Sequence, residues 1–310
     1  MHDKDIPNAY SRGTMSRNFL HLDEHPLFSE RLPEIRLLYT DLDGTLLGKG
    51  GSLLVGADSR PSLTAAEAIV RINSANLEVV VCSGRNRIQI AEIARLCGWR
   101  GFIAELGCVI VADRGAEPVY CTGSWEQGDL REDETPFQAI ERAGALEALF
   151  SAFPGKIENH APYHLNREAT HVLRGSIDVF EAAEVLAEID LPIDIVDNGI
   201  IHPIATTLVD VEEVHAYHLI PSGVTKALAI ELDSARRELD PMTAMSVGDS
   251  VTDAEMADVL GLGVIVANGL RDTSVREATA KRDNIAVTRK ERGDGWAEMA
   301  LEWLKAAGRG

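Results

Sequence analysis

The chain has 310 residues, 45% of them hydrophobic, which is enough for one large domain or two of ordinary size around a real core. A formal charge of -19 and a pI near 4.9 argue against a nucleic-acid-binding surface or an anionic membrane surface, because both recruit Lys and Arg clusters. No stretch approaches the roughly 18 apolar residues of a membrane span, and the four cysteines (Cys82, Cys97, Cys108 and Cys121) form no C-x-x-C pair, so free thiols in a reducing, cytoplasmic setting are expected.

Residues 1–33 are polar without an apolar core and read as a loose extension, not a secretory signal. Ile35 to Tyr39 then forms a short apolar run, the mark of a buried strand, ending in Asp41-Leu42-Asp43-Gly44-Thr45-Leu46-Leu47. On a strand, residues i and i+2 share a face, so Asp41 and Asp43 start out pointing the same way unless the chain turns between them. Two crowded carboxylates at a buried strand end need a cation, a shared proton or hydrogen bonds to offset their repulsion and lost hydration. A hard divalent ion with oxygen ligands suits them, and one carboxylate could act as nucleophile with the other as acid/base.

Gly48-Lys49-Gly50-Gly51-Ser52 lacks the spacing of a phosphate loop and reads as a mobile flap or small hairpin. A helix is expected from Arg60-Pro61-Ser62 to Asn76, then a buried strand over Leu77–Cys82 that runs into Ser83-Gly84-Arg85. A hydroxyl and a glycine between a strand and a helix from about Arg87 make an anion site, or a plain turn with Ser83 as the helix cap. Phe102–Glu105 reads as another strand, and Glu105 either lines a site or shapes the turn at Leu106-Gly107.

The texture changes near Ala112. Polar, glycine-rich sequence leads to a helix over Phe137–Phe150, strand-like pieces over Gly155–Glu158 and Tyr163–Leu173, and a helix over Asp178–Ile189. An Asn198-Gly199 hairpin between Ile193–Asp197 and Ile200–Ile204 follows, then a strand over Thr207–Val211. Helices segregated from antiparallel strands predict an α+β unit, here residues 113–217, inserted into a first domain. It carries His160, His164, Asn166, Arg167, His171 and Arg174, a basic cluster that suits either a solvated sheet edge or a substrate-reading face, with His164 and Arg167 as the candidate readers.

Beyond His218, Lys226 sits at a helix start against the positive end of the dipole, which suggests an anion nearby. Met242–Val247 reads as a strand that ends in Gly248-Asp249-Ser250-Val251-Thr252-Asp253, so two more carboxylates follow a strand end. Gly263–Ala267 is a last central strand closed by Asn268-Gly269, Asn284–Thr288 an edge strand, and Trp296–Ala306 an amphipathic helix. In an open parallel sheet, ligands bind beyond the carboxyl ends of the strands, so Asp41/Asp43, Ser83 and Asp249/Asp253 are expected to converge.

Four of these stretches resemble, in order, the motifs of the haloacid dehalogenase superfamily: D-L-D-G-T-L-L, C-S-G-R, G-V-T-K and G-D-S-x-x-D. The Glu105-Leu106-Gly107 turn and the long insertion between the second and third motifs are similar to the subgroup with a large cap, which includes Cof-type, sucrose-phosphate and trehalose-phosphate phosphatases. One departure is Thr252, where many capped members carry Asn; trehalose-phosphate phosphatases share the Thr. The resemblance implies a doubly wound, parallel α/β core of residues 34–112 and 218–310 with an α+β cap. It implies Asp41 as phosphorylated nucleophile and Asp43 as acid/base, with Ser83 and Lys226 on the phosphoryl group. It further implies Mg²⁺ on Asp41, Asp43, Asp249 and Asp253, with Gly84, Arg85 and Asn268 near the phosphate. The expected reaction is hydrolysis of a small phosphorylated metabolite, most simply a sugar phosphate. A phosphomutase would share these residues, and a non-catalytic ligand-binding module would be expected to have lost one of the two acids.

Overall fold

A computed structural model describes residues 19–203 and 205–309 of the chain. The strands are β1 (Leu37–Thr40), β2 (Glu78–Cys82), β3 (Phe102–Ala104), β4 (Val109–Val111), β5 (Val119–Tyr120), β6 (Ile157–Asn159), β7 (His171–Gly175), β8 (Ile193–Ile201), β9 (Val214–Pro221), β10 (Ala244–Gly248), β11 (Leu262–Ile265) and β12 (Ile285–Val287). Eight of them form one sheet in the order β12-β11-β10-β1-β2-β3-β4-β5, parallel from β12 to β3 and antiparallel beyond. The chain winds from β1 to β3 in one direction and from β10 to β12 in the other. The reversal point, where a doubly wound sheet opens a crevice, therefore lies between β1 and β10.

The central strands are apolar along their length because both faces are covered. Tyr39 and Thr40 show it. The Tyr39 hydroxyl donates to Asp233 Oδ2 at 2.9 Å, and the Trp296 indole N–H donates to Thr40 Oγ1 at 2.9 Å. Adjacent residues of a strand face opposite ways, so the helices Lys226–Arg236 and Arg292–Ala306 that carry those partners flank opposite faces. The second of these packs on the helix Thr64–Ser74. That helix starts three residues later than Pro61 suggests, because Pro61 is taken up in a bridge to Val55.

The remaining strands form an antiparallel sheet, β6-β7-β9-β8. The register Leu173↔Tyr217 and Val172↔His218 sorts its two faces. Leu173, Tyr217 and Leu219 join a separate apolar cluster with the helices Pro136–Arg142, Ala145–Ala152 and Val179–Ala187. The opposite face, with Val172, Ala216 and His218, looks onto a cleft.

Several local expectations are corrected. The helix over Phe137–Phe150 is two helices, broken at Gly144 with φ +80. Of Tyr163–Leu173 only the end is strand; Pro162 to Asn166 turns, with Asn166 at φ +57. Asn198-Gly199 is an irregularity inside β8, which stays paired with β9 on both sides of it, not a hairpin turn. Thr207–Val211 is not a strand, and Ile204 lies outside the described residues. Residues 1–18 of the expected loose extension also lie outside them. The rest of it is docked: His21 bridges Val287, and Leu22, Phe28 and Leu32 are buried in the main core. All four cysteines are buried free thiols. No helix among the described residues is long and apolar enough to cross a membrane.

Candidate active site

A cleft of about 700 Å³ opens over the carboxyl ends of β1, β2 and β10. Its floor is built from the residues that follow those strands. Asp41 ends β1 and is 6% exposed. Lys226 starts its helix after the cap Thr225, whose hydroxyl accepts from the Leu228 N–H. From there the Lys226 Nζ donates to Asp41 Oδ1 at 2.9 Å and to Asp253 Oδ1 at 2.7 Å. Asp253 Oδ2 accepts from the Asp249 and Ser250 N–H groups and the Ser250 hydroxyl, so that carboxylate is committed on both oxygens. Asp249 Oδ1 accepts from Thr45 Oγ1 and Oδ2 from Asn268 Nδ2, both at 3.0 Å. Gly44 has φ +85, and a Cβ there would come within 2.2 Å of Asp249 Oδ2, so the turn after Asp43 requires glycine. Asp41 Oδ2 takes no hydrogen bond from any described residue.

Two buried carboxylates, Asp41 and Asp253, thus hold one ammonium with the part-buried Asp249 beside them, leaving two surplus negative charges when all three are ionised. Burial, only partly offset by Lys226 and reinforced by Asp253 and Asp249, pushes Asp41 up to about 8. Burial and Asp253 push Asp249 up to about 7. Burial opposes the Lys226 charge, but Asp253 and Asp41 outweigh it and hold its pKa well above the ordinary value. One oxygen from each of Asp41, Asp249 and Asp253 lies within 4.8 Å of the others. A hard divalent cation fits this all-oxygen set, and its charge equals the surplus.

Asp43 does not share this environment. The chain turns after Asp41, and both Asp43 oxygens accept from Arg85, at 2.7 Å from Nε and 2.6 Å from Nη2. Asp43 is half exposed, at the mouth of the cleft beside Gly50 and Gly51 of the glycine-rich turn. Ser83 and Gly84 lie at the end of β2 on the same floor.

The roof comes from the four-stranded sheet and the turn before β7, and four contacts lock it to the floor loops. Arg167 Nη2 donates to the Gly84 carbonyl at 2.7 Å, Asn86 Nδ2 to the Leu165 carbonyl at 3.1 Å, and Arg87 Nε to Glu168 Oε1 at 2.8 Å. The fourth is Glu105, fully buried, whose carboxylate accepts from the N–H groups of Glu168, Ala169 and Thr170 and from the Thr170 hydroxyl. Glu105 and Leu106 sit at φ 54 and 60, left-handed positions that cost non-glycine residues about 1–2 kcal/mol each. These hydrogen bonds offset that cost. Glu105 is therefore a structural clamp and not a cleft-facing group.

Asp41, Asp43, Ser83, Gly84, Arg85, Arg167, Lys226, Asp249 and Asp253 all line one cleft. Two expected site residues do not. Asn268 is spent behind Asp249, donating also to the Gly44 carbonyl and accepting from the Arg292 N–H. His164 is not in the cleft lining, its Nδ1 sealed without a partner among the described residues, and His160 takes the cleft-facing place expected of it. Arg167 is in the wall, but its guanidinium is engaged by Gly84, Thr170 and Glu105. His171 stacks on Phe137 at 3.7 Å and Arg174 pairs with Glu158, so neither belongs to the site. Sequence reasoning missed Thr45 and His218. The Thr45 signal was its place beside the first acid pair, and the His218 signal was a polar residue two after Ala216 on a buried strand.

Comparison with known proteins agrees with this geometry. The haloacid dehalogenase-like hydrolase family matches residues 38–123 and 198–293, more than half of the chain. The chain is 24% identical over 277 residues to a phosphoglycolate phosphatase of Methanosarcina mazei, covering 89% of this chain and 99% of the relative. It is 26% identical over 269 residues to one of Methanoculleus marisnigri, covering 87% and 97%. Among solved structures, a Thermoplasma acidophilum protein aligns with TM-score 0.57 at 16% identity, over 87% of this chain and 98% of that one. A sucrose-phosphatase of Synechocystis aligns with TM-score 0.56 at 14% identity, over 86% and 97%. With its four motifs gathered at the ends of a doubly wound sheet, the chain belongs to the haloacid dehalogenase-like hydrolases.

Proposed function

We propose that this hydrolase is a phosphatase that cleaves a small phosphate monoester through a phosphorylated Asp41. The observation that carries the reading is the end of β1: a buried carboxylate with one oxygen held by Lys226 and the other without a partner among the described residues, two residues before a second acid at the cleft mouth. Asp41 Oδ2 attacks phosphorus as the ester P–O bond breaks, and Asp43 gives its proton to the leaving oxygen. As a carboxylate, Asp43 then takes a proton from water. The water oxygen bonds to phosphorus, the Asp41–phosphorus bond breaks, and inorganic phosphate leaves. Ser83, the Gly84 N–H and Lys226 hold the charge on the transferring group, where such catalysis mostly resides. The Asp43–Arg85 pair must part for this cycle, so Arg85 exchanges a carboxylate for substrate oxygens.

Mg²⁺ fits the floor, with Asp41, Asp249 and the Asp43 main-chain carbonyl as its holders and Asp253 fixing Lys226 and the Asp249 backbone. Bound there, it would neutralise the charge that keeps a carboxylate from a phosphate dianion. We infer that residues between β5 and β9 act as a cap that shields this chemistry from bulk water. The names of the full-length relatives favour phosphoglycolate-type esters; the initial expectation favours sugar phosphates.

Phosphate release from both classes, with Mg²⁺ and with EDTA, tests the reading. Metal-dependent release is expected, with phosphoryl label trapped on the protein and lost, together with about 10⁴-fold in rate, in Asp41→Asn. An Asp41→Asn variant as fast as the parent would overturn the nucleophile. Isomerised ester without free phosphate would make the protein a mutase.

A further inference from the structure

Phosphoryl transfer at the floor leaves two imidazoles in the roof without a role. His218, on β9, is 4% exposed, and its Nδ1 is sealed from solvent with no hydrogen-bond partner among the described residues. His160, just after β6, has its Nδ1 in the same condition. Both rings line the cleft, and neither Nε2 bonds to another described residue. Burial, reinforced by Arg174 for His160 and by Arg167 for His218, keeps both rings neutral.

A neutral imidazole has one N–H and one bare nitrogen. A sealed N–H without an acceptor is the costlier orphan, so the proton belongs on Nε2. Each ring is then a hydrogen-bond donor facing the cleft. The roof side of the cleft, formed by His160, Tyr163, Arg167, Asn198, Ile201 and His218, contains no carboxylate, although the chain as a whole carries a charge of -19. A sugar's hydroxyls both donate and accept, and the side-chain acceptors the roof offers them are the Asn198 amide oxygen and the Tyr163 hydroxyl. A carboxylate only accepts. The Arg167 guanidinium lies beside the two rings, its charge paired with the buried Glu105 carboxylate at 3.5 Å.

We propose that His218 and His160 are specificity-determining residues that donate from Nε2 to a carboxylate on the leaving group, which makes the substrate a small phosphorylated hydroxy acid and not a phosphorylated sugar. This rests on the phosphatase reading for what occupies the floor, but the roof can be tested without turnover. The full chain with Mg²⁺ is titrated in a calorimeter with 3-phosphonopropionate, a non-hydrolysable phosphate–carboxylate pair, and with propylphosphonate, which has the same chain length without the carboxylate. The parent is expected to prefer the first on the order of ten- to hundredfold, the ratio for a hydrogen bond to a charged group. His218→Leu removes most of that preference, while His218→Gln, which keeps a donor near the Nε2 position, retains part of it. Equal affinities in the parent, or an unchanged ratio in His218→Leu, would overturn the assignment. So would an equal loss of both ligands in His218→Leu, which would place the residue in the phosphate site or the fold. A clear preference in a protein that hydrolyses no ester would leave the roof assignment standing and sink the phosphatase reading.

Discussion

The floor and the roof of the cleft solve opposite electrostatic problems. The floor concentrates charge: three carboxylates, two of them buried, and one buried ammonium, each held by hydrogen bonds of 2.7–3.0 Å. The roof avoids it, presenting neutral imidazoles with a nitrogen left unpaired and a guanidinium already engaged by backbone and hydroxyl oxygens. The floor rests on the ends of parallel strands, where adjacent crossovers fix each side chain. The roof hangs from an antiparallel sheet and a turn, held in place by contacts remote in sequence. Chemistry common to many substrates suits the first arrangement, and discrimination among substrates suits the second.

That contrast can be broken in three ways. The largest expected effect is at the mouth, where floor and roof meet. Asp43→Asn should lower phosphate release by about 10²- to 10⁴-fold, as loss of an acid/base does, while label still accumulates on Asp41 with a substrate whose leaving group needs no proton. A parental rate would remove Asp43 from the cycle. Next is the clamp. Glu105→Ala strands three backbone N–H groups, a hydroxyl and the nearby Arg167, and should cost about 3 kcal/mol or more in urea unfolding. A loss below about 1 kcal/mol would mean the roof is held by something else. The smallest effect is on the pH dependence of the metal-free protein. Asp41 and Asp249, raised from 3.8 to about 8 and about 7, bind protons more tightly when folded. Their contribution to stability is therefore fully present below the ordinary value of 3.8 and is lost progressively as pH rises from about 4 to about 8. In EDTA the Tm should fall over that interval, and Mg²⁺ should restore it. A flat profile in EDTA would show that the floor's charge is balanced without a cation.

The same division governs what the sequence alone made legible. Asp41, Ser83 and Asp249 each follow an apolar run by one or two positions, and Lys226 opens a helix, so strand and helix-start prediction places them without any knowledge of packing. The roof has no such local signal. Alternation over Tyr163–Arg167 looks like a strand, yet the segment turns, because Glu105 captures the next three amides and Arg167 is drawn to the Gly84 carbonyl. That tertiary capture put His160 in the place expected of His164. Asn198-Gly199 looked like a hairpin turn for the same reason: nothing nearby in sequence announces that β9 is there to keep β8 extended. Asn268 sits beside the site with its amide bonded to Asp249, Gly44 and Arg292, and adjacency in sequence does not tell whether an amide faces the ligand or supports a ligand-facing carboxylate.

The Glu105 clamp also has a metric consequence. It fixes the roof turn to the end of β3, the strand paired with the one that carries Ser83. If the site works as proposed, the gap between a phosphorus on the floor and the roof imidazoles would be set by that clamped span of backbone and not by a hinge angle. The cleft would then behave as a caliper: an ester whose far end falls short would leave the roof donors unmet, and one a few atoms too long would have to pry the clamp open. Selection by length would then survive changes in the chemistry of the roof itself, and relaxing it would take a change at Glu105, far from any atom of the substrate.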